Sequence, residues 1–207
     1  IETSNGTFGL VWAGHSIEEM TGEYGEYLAK NPLTTPKGVE VELAADEYLS
    51  KSNSFYIKTI DGKNALYTTE RGEVTWKLDI PQAGLYNIKL TYFPEEGGGS
   101  NIERGFKVKG EYPFSSLTNV IFQRVWGDKT AINTDTMGND MKPVQEEKPE
   151  IRTAYVRDEL GFVTEPYLIY FEEGENELTI TSRREPMSIF SVTVCSSEEL
   201  RSYEEVK

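Results

Sequence analysis

Short polar side chains are concentrated in one segment of this 207-residue chain, residues 127–150. The side chains that offer carboxylate or amide oxygens include Asp128, Asn133, Asp135, Asn139, Asp140, Gln145 and Glu146. Oxygens of this kind bind sugar hydroxyls or Ca²⁺. The segment has no sustained hydrophobic period, and long segments of that type in compact domains are either functional or disordered. The sequence therefore allows a binding loop or a solvated, mobile insertion.

A tryptophan, Trp126, stands directly before this polar segment. The apolar C–H face of a sugar ring packs well on an aromatic plane, while its hydroxyls need polar partners around the rim. Trp126 beside the polar segment meets both requirements. It also shares strand parity with Phe122, which is the pattern of a core residue. Stacking on a ligand and burial in the core both stay open.

Catalytic chemistry has little support in the sequence. The only histidine is His15, the only cysteine is Cys195, and no serine or cysteine nucleophile motif accompanies the histidine. A zinc site of the usual nitrogen and sulfur type needs more such ligands than the chain has. Carboxylates are abundant, so a glycosidase pair stays open. We expect a protein that is not an enzyme, with no catalytic residues and no metal ligands.

The chain is strongly acidic, with 21 Lys and Arg against 35 Asp and Glu and a net charge of −14. Such a surface repels polyphosphate and anionic lipid, so we expect no nucleic-acid partner. No apolar run approaches the roughly 20 residues that span a bilayer, so we expect no membrane insertion. Cys195 ends an apolar strand and is expected to be a structural thiol.

The clearest structural pattern is a pair of alternating stretches around Pro81-Gln-Ala-Gly84. One face of the first stretch carries Val74, Trp76, Leu78 and Ile80, and one face of the second carries Tyr86, Ile88, Leu90 and Tyr92. A period of two on both sides of a turn predicts an antiparallel hairpin with one buried face. Trp76 is therefore predicted to lie in the core.

From Val39 onward about ten short strand patterns follow one another, with turn residues between them. This favours an all-β, antiparallel β-sandwich or jelly roll. Before it, Ser16-Ile-Glu-Glu19 reads as a capping box and predicts a helix that reaches Leu28. We expect an irregular segment and helix over residues 1–36, a sandwich over 37–195 and the start of a C-terminal helix or linker over 196–207. The last segment reads as a helix cut short, which suggests a longer parent polypeptide.

Two further features have ordinary interpretations. Glu95-Glu-Gly-Gly-Gly-Ser100 lacks the Lys-Ser/Thr of a phosphate-binding loop and is expected to be a flexible connection. Scattered arginines are expected to pair with the surplus carboxylates: Arg104, Arg124, Arg152 and Arg184.

Several of these segments resemble carbohydrate-binding modules of families 6 and 35, which have the galactose-binding-like β-sandwich fold. Trp76 to Ile88, with its Pro-Gln-Ala-Gly turn, resembles their central hairpin. Val39 to Tyr48 resembles their opening strand, Phe171 to Ile180 their penultimate hairpin, and Ser188 to Val194 their closing strand.

The part from Tyr92 to Val194 also resembles a β-sandwich domain of large bacterial extracellular solute-binding lipoproteins of sugar ABC transporters. The resemblance rests on the order of short pieces: Tyr92-Phe-Pro, Ile102-Glu-Arg104, Pro113-Phe114, Phe122-x-Arg-Val-Trp-x-Asp128, Gly138-Asn-Asp140 with Pro143, and Arg184-Glu-Pro-Met187.

The resemblance implies a galactose-binding-like fold and an extracellular or cell-surface location, although no signal peptide is visible in this sequence. It also implies a structural Ca²⁺ held by the opening strand, but the position of the second glutamate of that site is Ala44 here. We expect no cofactor. The usual Asn/Asp pair near the C-terminus is replaced by Arg184-Glu185-Pro186.

These observations lead to one functional expectation and one alternative. The chain is expected to be a non-catalytic carbohydrate-binding module of a secreted or surface-anchored bacterial protein, with an oligo- or polysaccharide and further domains of the same polypeptide as partners. The expected ligand-binding residues are Tyr92, Arg104, Trp126, Asp128, Asn139, Asp140, Gln145 and Glu185. The alternative is a structural accessory domain that docks on a solute-binding or enzyme domain without binding sugar.

Overall fold

The computed structural model describes residues 22–197 and the backbone of two short strands before them. It confirms an all-β fold with antiparallel sheets and one short α-helix, α1 (Glu23–Lys30). The strands, in chain order, are β1 (Val11–Trp12), β2 (His15–Ser16), β3 (Glu40–Ala44), β4 (Tyr48–Lys51), β5 (Tyr56–Ile60), β6 (Lys63–Thr68), β7 (Gly72–Ile80), β8 (Gly84–Pro94), β9 (Ile102–Val108), β10 (Val120–Phe122), β11 (Trp126–Asp128), β12 (Asn133–Thr134), β13 (Asp140–Met141), β14 (Gln145–Glu147), β15 (Arg152–Tyr155), β16 (Ile169–Phe171), β17 (Gly174–Arg184) and β18 (Met187–Cys195).

Two sheets form the sandwich. The five-stranded sheet has the order β10-β9-β17-β7-β4. The seven-stranded sheet has the order β15-β8-β18-β6-β5, with β16 beside β8 and β3 beside β18. The alternating stretches around residues 74–80 and 86–92 and the closing strand at 188–194 are confirmed as β7, β8 and β18.

The predicted hairpin of β7 and β8 is wrong as a pairing. β7 lies in the five-stranded sheet between β17 and β4, whereas β8 lies in the seven-stranded sheet beside β18. The Pro81–Gly84 turn is therefore a corner between the two sheets. The buried faces were predicted correctly, because Trp76 and Tyr86 are both fully buried. Their strands face each other across the core instead of lying side by side.

The core between the sheets is built from the inward positions of the alternating strands. Along β7 only Val74, Trp76, Leu78 and Ile80 are buried, as a period of two requires. The central strand β18 is buried along its whole length, because it has β8 on one side and β6 and β3 on the other. Cys195, at its end, is buried at 5 % exposure, which confirms the structural thiol.

The helix α1 begins seven residues later than the predicted capping box, whose first residue, Ser16, lies in β2. Its N-cap is Gly22, without a side-chain cap, so packing must hold the helix. The Tyr24 hydroxyl accepts a hydrogen bond from the Leu168 N–H (2.8 Å), and the Tyr24 ring packs on Phe114.

In the described part of the chain, no helix is long and apolar enough to cross a membrane. The predicted C-terminal helix lies, from residue 198 on, outside the described residues.

One end of the sandwich carries loops from both sheets, and we call it the rim. It is formed by the segments 69–71, 95–101, 123–151 and 185–186. They meet because β8 ends beside the start of β18, and β9 begins beside the end of β10. The rim therefore gathers residues that are far apart in the chain onto one rigid support.

The core position of Trp76 gives a test of this packing. The Trp76 indole N–H donates to the Ala44 carbonyl (2.9 Å) and the ring is fully buried. We expect Trp76→Phe to lower the free energy of unfolding by about 1–3 kcal/mol, through the lost hydrogen bond and the cavity left by the smaller ring. Urea unfolding followed by circular dichroism measures the change. The matched control Trp126→Phe, at an exposed position, should shift it by less than about 0.5 kcal/mol.

Candidate ligand-binding rim

The polar segment after Trp126 is a two-stranded ribbon. β11 pairs with β14, and further out β12 pairs with β13, both antiparallel. The expectation of a segment without regular structure is therefore corrected. Each strand is only two or three residues long, which is too short for a hydrophobic period to be visible in the sequence. We call residues 126–147 the ribbon.

The base of the ribbon places one aromatic and three polar side chains on one face. Trp126 lies directly opposite Glu147, and Asp128 lies opposite Gln145. Alternate residues of a strand and their cross-strand partners share a face, so all four project to the same side. The Gln145 amide donates a hydrogen bond to the Asp128 carboxylate. An indole is therefore placed beside a paired carboxylate and amide.

Trp126 is exposed to 49 %, so the structure favours a surface role over burial in the core. The six-membered ring of its indole lies near Gly99, one of three consecutive glycines that we call the glycine loop, residues 97–99. A Cβ atom placed on Gly99 would lie 3.5 Å from Cη2 of the indole. Gly99 also has φ of +78°, a conformation that favours glycine. One edge of the indole therefore lies near the backbone of Gly99, while the side chain keeps about half of its surface free.

A buried arginine, Arg124, holds the ribbon and the glycine loop together. Its side chain is 1 % exposed and all three of its nitrogen atoms donate hydrogen bonds. Nε donates to the Ser100 carbonyl (2.8 Å), Nη1 to the Glu95 carbonyl (2.9 Å) and to the Glu147 carboxylate, and Nη2 to the Glu185 carboxylate (2.9 Å). The arginine thus ties both ends of the glycine loop to the base of the ribbon.

Glu185 completes this network from below the glycine loop. Its carboxylate accepts hydrogen bonds from the Gly98 N–H (2.8 Å) and the Ser100 N–H (3.4 Å). A Cβ on Gly97 would lie 2.1 Å from one of its oxygens, so only glycine fits there. The expectation that 95–100 is a flexible connection is corrected, since Arg124 and Glu185 bind its backbone at several points. Glu185 itself has φ of +59°, a strained value of the kind that clusters at functional sites.

The predicted residues Asn139 and Asp140 lie further out, at the tip of the ribbon. Asp135 organises this tip by accepting hydrogen bonds from the Asn139 amide (3.0 Å) and from the N–H groups of Asn139 and Met137. These bonds, led by the Asn139 side chain, lower the pKa of Asp135. The tip is exposed, and it is separated from Trp126 by the length of the ribbon.

Three of the predicted ligand residues are buried, so the structure places them beneath the rim. Tyr92 is 1 % exposed and its hydroxyl donates to the Gln123 carbonyl (2.9 Å). Arg104 is fully buried and donates to the carbonyls of Glu103, Arg184 and Glu185. Burial, followed by the nearby charge of Arg124, lowers the pKa of Arg104 to about 9. With Glu185, these side chains support the rim rather than face solvent.

The residues present do not fit the implied calcium ion. Ala44 has no side-chain oxygen, and its carbonyl already accepts hydrogen bonds from the Trp76 indole and the Glu47 N–H. Among residues 22–197, no group of three or more His, Cys, Asp or Glu side chains is arranged to hold a metal.

Sequence reasoning missed Arg124 and Glu147 as the organisers of the site. Arg124 was expected to pair with a carboxylate, and it does, but its burial could not be read from the sequence. The available signal was the run of three glycines, which marks a backbone pressed closely against other atoms.

Comparison with protein-family models gives no match, and comparison with curated proteins gives none either. Several solved structures are similar to this chain. A GH26-CBM35 β-(1,4)-mannanase from Podospora anserina matches over 79 % of this chain with a TM-score of 0.48 and 11 % identity, and the match spans 29 % of the mannanase.

Two isolated modules match over most of their length. A family 35 carbohydrate-binding module from Clostridium thermocellum matches over 77 % of this chain and 100 % of its own, with a TM-score of 0.44 and 15 % identity. A carbohydrate-binding module from Cellvibrio mixtus lichenase 5A, in complex with cellotriose, matches over 76 % of this chain and 98 % of its own, with a TM-score of 0.44 and 10 % identity.

The buried ion pair gives the test of this site. Glu185→Gln keeps the shape of the side chain but leaves the buried Arg124 without one of its two carboxylates. Removing one partner of a buried pair costs about 3–5 kcal/mol, so we expect the free energy of unfolding to fall by at least about 2 kcal/mol. We also expect the wavelength of maximum Trp126 fluorescence to shift. The Glu185 carboxylate anchors the glycine loop, and Gly99 of that loop lies near the indole.

The exposed pair Lys77–Glu175 supplies the control, since its side chains are 51 % and 69 % exposed. Glu175→Gln should change the free energy of unfolding by less than about 1 kcal/mol. Equal effects of Glu175→Gln and Glu185→Gln would contradict the organising role of the buried pair.

Proposed function

We propose that this chain is a non-catalytic glycan-binding module whose ligand stacks on Trp126. The observation that supports this most is the indole itself, which is half-exposed, lies near Gly99 and shares a face of the ribbon with the Asp128–Gln145 pair. An aromatic plane with a carboxylate and an amide at its edge matches the two sides of a sugar, the apolar ring face and the hydroxyl rim.

Binding of this kind depends on preorganisation, because each hydroxyl exchanged from water contributes only about 1 kcal/mol net. The Arg124 network fixes the ribbon base and the glycine loop before the ligand arrives. The indole therefore loses little conformational freedom on binding. Weak to moderate affinity follows, with selectivity set by the polar side chains.

The predicted site residues divide into three groups under this proposal. Direct contacts to a sugar on Trp126 come from Asp128 and Gln145 at the base of the ribbon. Asn139 and Asp140, at the exposed tip, contact only a longer glycan that extends along the ribbon. Tyr92, Arg104 and Glu185 are buried and hold the rim in place.

The setting of the module is part of the same proposal. On the sequence resemblance stated above, we infer a secreted or surface-anchored bacterial protein, with an oligo- or polysaccharide as ligand and further domains in the same polypeptide. The net charge of −14 favours neutral glycans over polyanions.

Trp126→Ala is the decisive variant. Removing the indole should weaken binding about five- to twelvefold, because stacking on an aromatic ring contributes on the order of 1–1.5 kcal/mol. A glycan array selects the ligand and isothermal titration calorimetry measures the affinity of the wild type and the variant. Trp126→Phe should keep part of the affinity.

Phe162→Ala is the matched control, since Phe162 is an aromatic residue exposed to 81 % on a different hairpin. It should leave glycan affinity unchanged. If the wild type binds no glycan on the array, or if Trp126→Ala binds as well as the wild type, the proposal fails.

A second candidate function is structural docking on a neighbouring domain of the same polypeptide. The observation that favours it is a set of apolar side chains exposed between 55 and 87 % on the ribbon: Ile132, Met137, Met141 and Val144. Apolar groups gathered on a projecting element are typical of interaction surfaces.

Amide hydrogen exchange tests whether the ribbon docks on a neighbouring domain. If the ribbon docks, amides of residues 132–144 should be protected at least about tenfold more in the full polypeptide than in the isolated chain. Equal exchange in both would exclude docking through the ribbon. The amides of β18 provide the internal reference, because that strand is buried in either case.

A further inference from the structure

The strand β16 lies at an edge of the seven-stranded sheet. Among the strands that the structure describes between residues 22 and 197, it pairs with β8 alone. An edge strand presents a row of backbone N–H groups, which is a template for pairing with another strand. The segment from Tyr167 to Phe171 is also uncharged, apolar or aromatic, and free of proline. Segments of that composition associate readily once they are uncovered.

Two tyrosines of the helix α1 cover this edge in place of a strand. The Tyr24 hydroxyl accepts a hydrogen bond from the Leu168 N–H (2.8 Å), and the Tyr27 hydroxyl accepts one from the Tyr170 N–H (2.8 Å). The two N–H groups lie two strand residues apart, about 7 Å, and side chains three apart on a helix are about 5–6 Å apart. The spacing of the tyrosines on the helix therefore matches the spacing of the donors on the edge.

The helix α1 depends on this contact for its own stability. It has eight residues, whereas isolated helices shorter than about 12–15 residues are marginal in water. Its N-cap, Gly22, has no side chain to offer, and Gly25 lowers its helix propensity further. The Tyr24 ring holds it by packing 4.8 Å from Phe114 and 4.9 Å from Tyr167, measured between ring centroids. We therefore expect α1 to open before the sandwich unfolds.

A second copy of this chain offers a matching strand for the open edge. Two β16 strands can pair antiparallel with Ile169 of one copy opposite Ile169 of the other. In that register the Leu168 N–H meets the Tyr170 carbonyl of the second copy, and the Tyr170 N–H meets its Leu168 carbonyl. Both donors that α1 releases then have acceptors, and an aliphatic side chain packs beside an aromatic one across the strands. The contact is symmetric, so it closes after two copies.

Charge opposes such a contact. Three carboxylates flank the strand, those of Glu165, Glu172 and Glu173, and each copy carries a net charge of −14. Salt screens this repulsion, because the Debye length falls from about 30 Å at 0.01 M to about 3 Å at 1 M ionic strength. Pairing through β16 should therefore strengthen as salt is added, whereas an interface held by ion pairs would weaken.

We propose that the outer edge of β16 is a pairing surface for a second copy of this chain, and that α1 is the cap that keeps it closed. The capped chain is a monomer, and opening of α1 permits a dimer through β16. This inference does not depend on glycan binding, because neither α1 nor β16 belongs to the rim.

The double variant Tyr24→Phe and Tyr27→Phe tests the cap, because it removes both acceptors and keeps both rings. Each lost hydrogen bond changes an equilibrium about fivefold, so the open fraction should rise about 30-fold. Amide exchange followed by nuclear magnetic resonance should show the two β16 N–H groups that face α1 exchanging at least about tenfold faster. The Ile169 and Phe171 N–H groups, on the β8 side, should change by less than about threefold.

Sedimentation equilibrium tests the pairing. We expect a monomeric wild type, and a double variant that forms dimers with a Kd that falls about tenfold between about 0.05 M and 0.5 M NaCl. Adding Tyr170→Glu places another carboxylate on the edge and should return the double variant to a monomer. The matched control Tyr56→Phe removes an exposed hydroxyl on the edge strand β5 and should behave as the wild type in both measurements.

Each of four results would overturn the inference. Unchanged exchange in the double variant would mean that the hydroxyls do not hold α1 on the edge, and a dimeric wild type would mean that α1 does not close it. A double variant that stays monomeric at the higher salt would exclude β16 as a pairing surface. A dimer that survives Tyr170→Glu would place the association elsewhere. If the double variant does not fold, Tyr27→Phe alone provides the same test with an expected rise of about fivefold, since Tyr27 is only half-buried.

Discussion

The rim depends on one buried contact, the ion pair of Arg124 and Glu185. Both side chains are 6 % exposed or less, so their charges are compensated almost entirely within the protein. Desolvating such a pair is expensive, and a buried pair is weak support for stability on its own. Its effect here is geometrical, since it fixes the backbone of three glycines and the base of a ribbon. The orientation of Trp126 follows from that arrangement.

The sequence predicted the strands well and their partners less well. Alternation along β7 and β8 correctly identified which side chains face inward, because a period of two records burial directly. It does not record which strand lies alongside. Two consecutive strands with apolar faces have the same pattern whether they pair in one sheet or face each other across a sandwich, and the corner at Pro81–Gly84 is of the second kind.

The site was predictable to the extent that local sequence decides exposure. Trp126 and Asp128 belong to a polar segment, and the structure exposes both. Tyr92, Arg104 and Glu185 resemble ligand-binding types in sequence, yet each is buried by strands distant in the chain. Tyr92 already belonged to an inward-facing set of alternate residues, which gave a sign of this. No comparable signal distinguished Arg124 from the other arginines, because its four acceptors come from three separate segments.

The position of β18 also constrains when the sandwich can fold during translation. This strand pairs with β3, β6 and β8, and it is the last strand among residues 22–197. Its paired residues lie between 93 positions apart (Met187 and Pro94) and 155 positions apart (Cys195 and Glu40), and such long-range closure is slow. During translation, β3, β6 and β8 leave the ribosome with their inner edges and apolar faces uncovered until residue 195 has been synthesised. Nascent chains of this protein should therefore depend on chaperones that bind extended apolar segments.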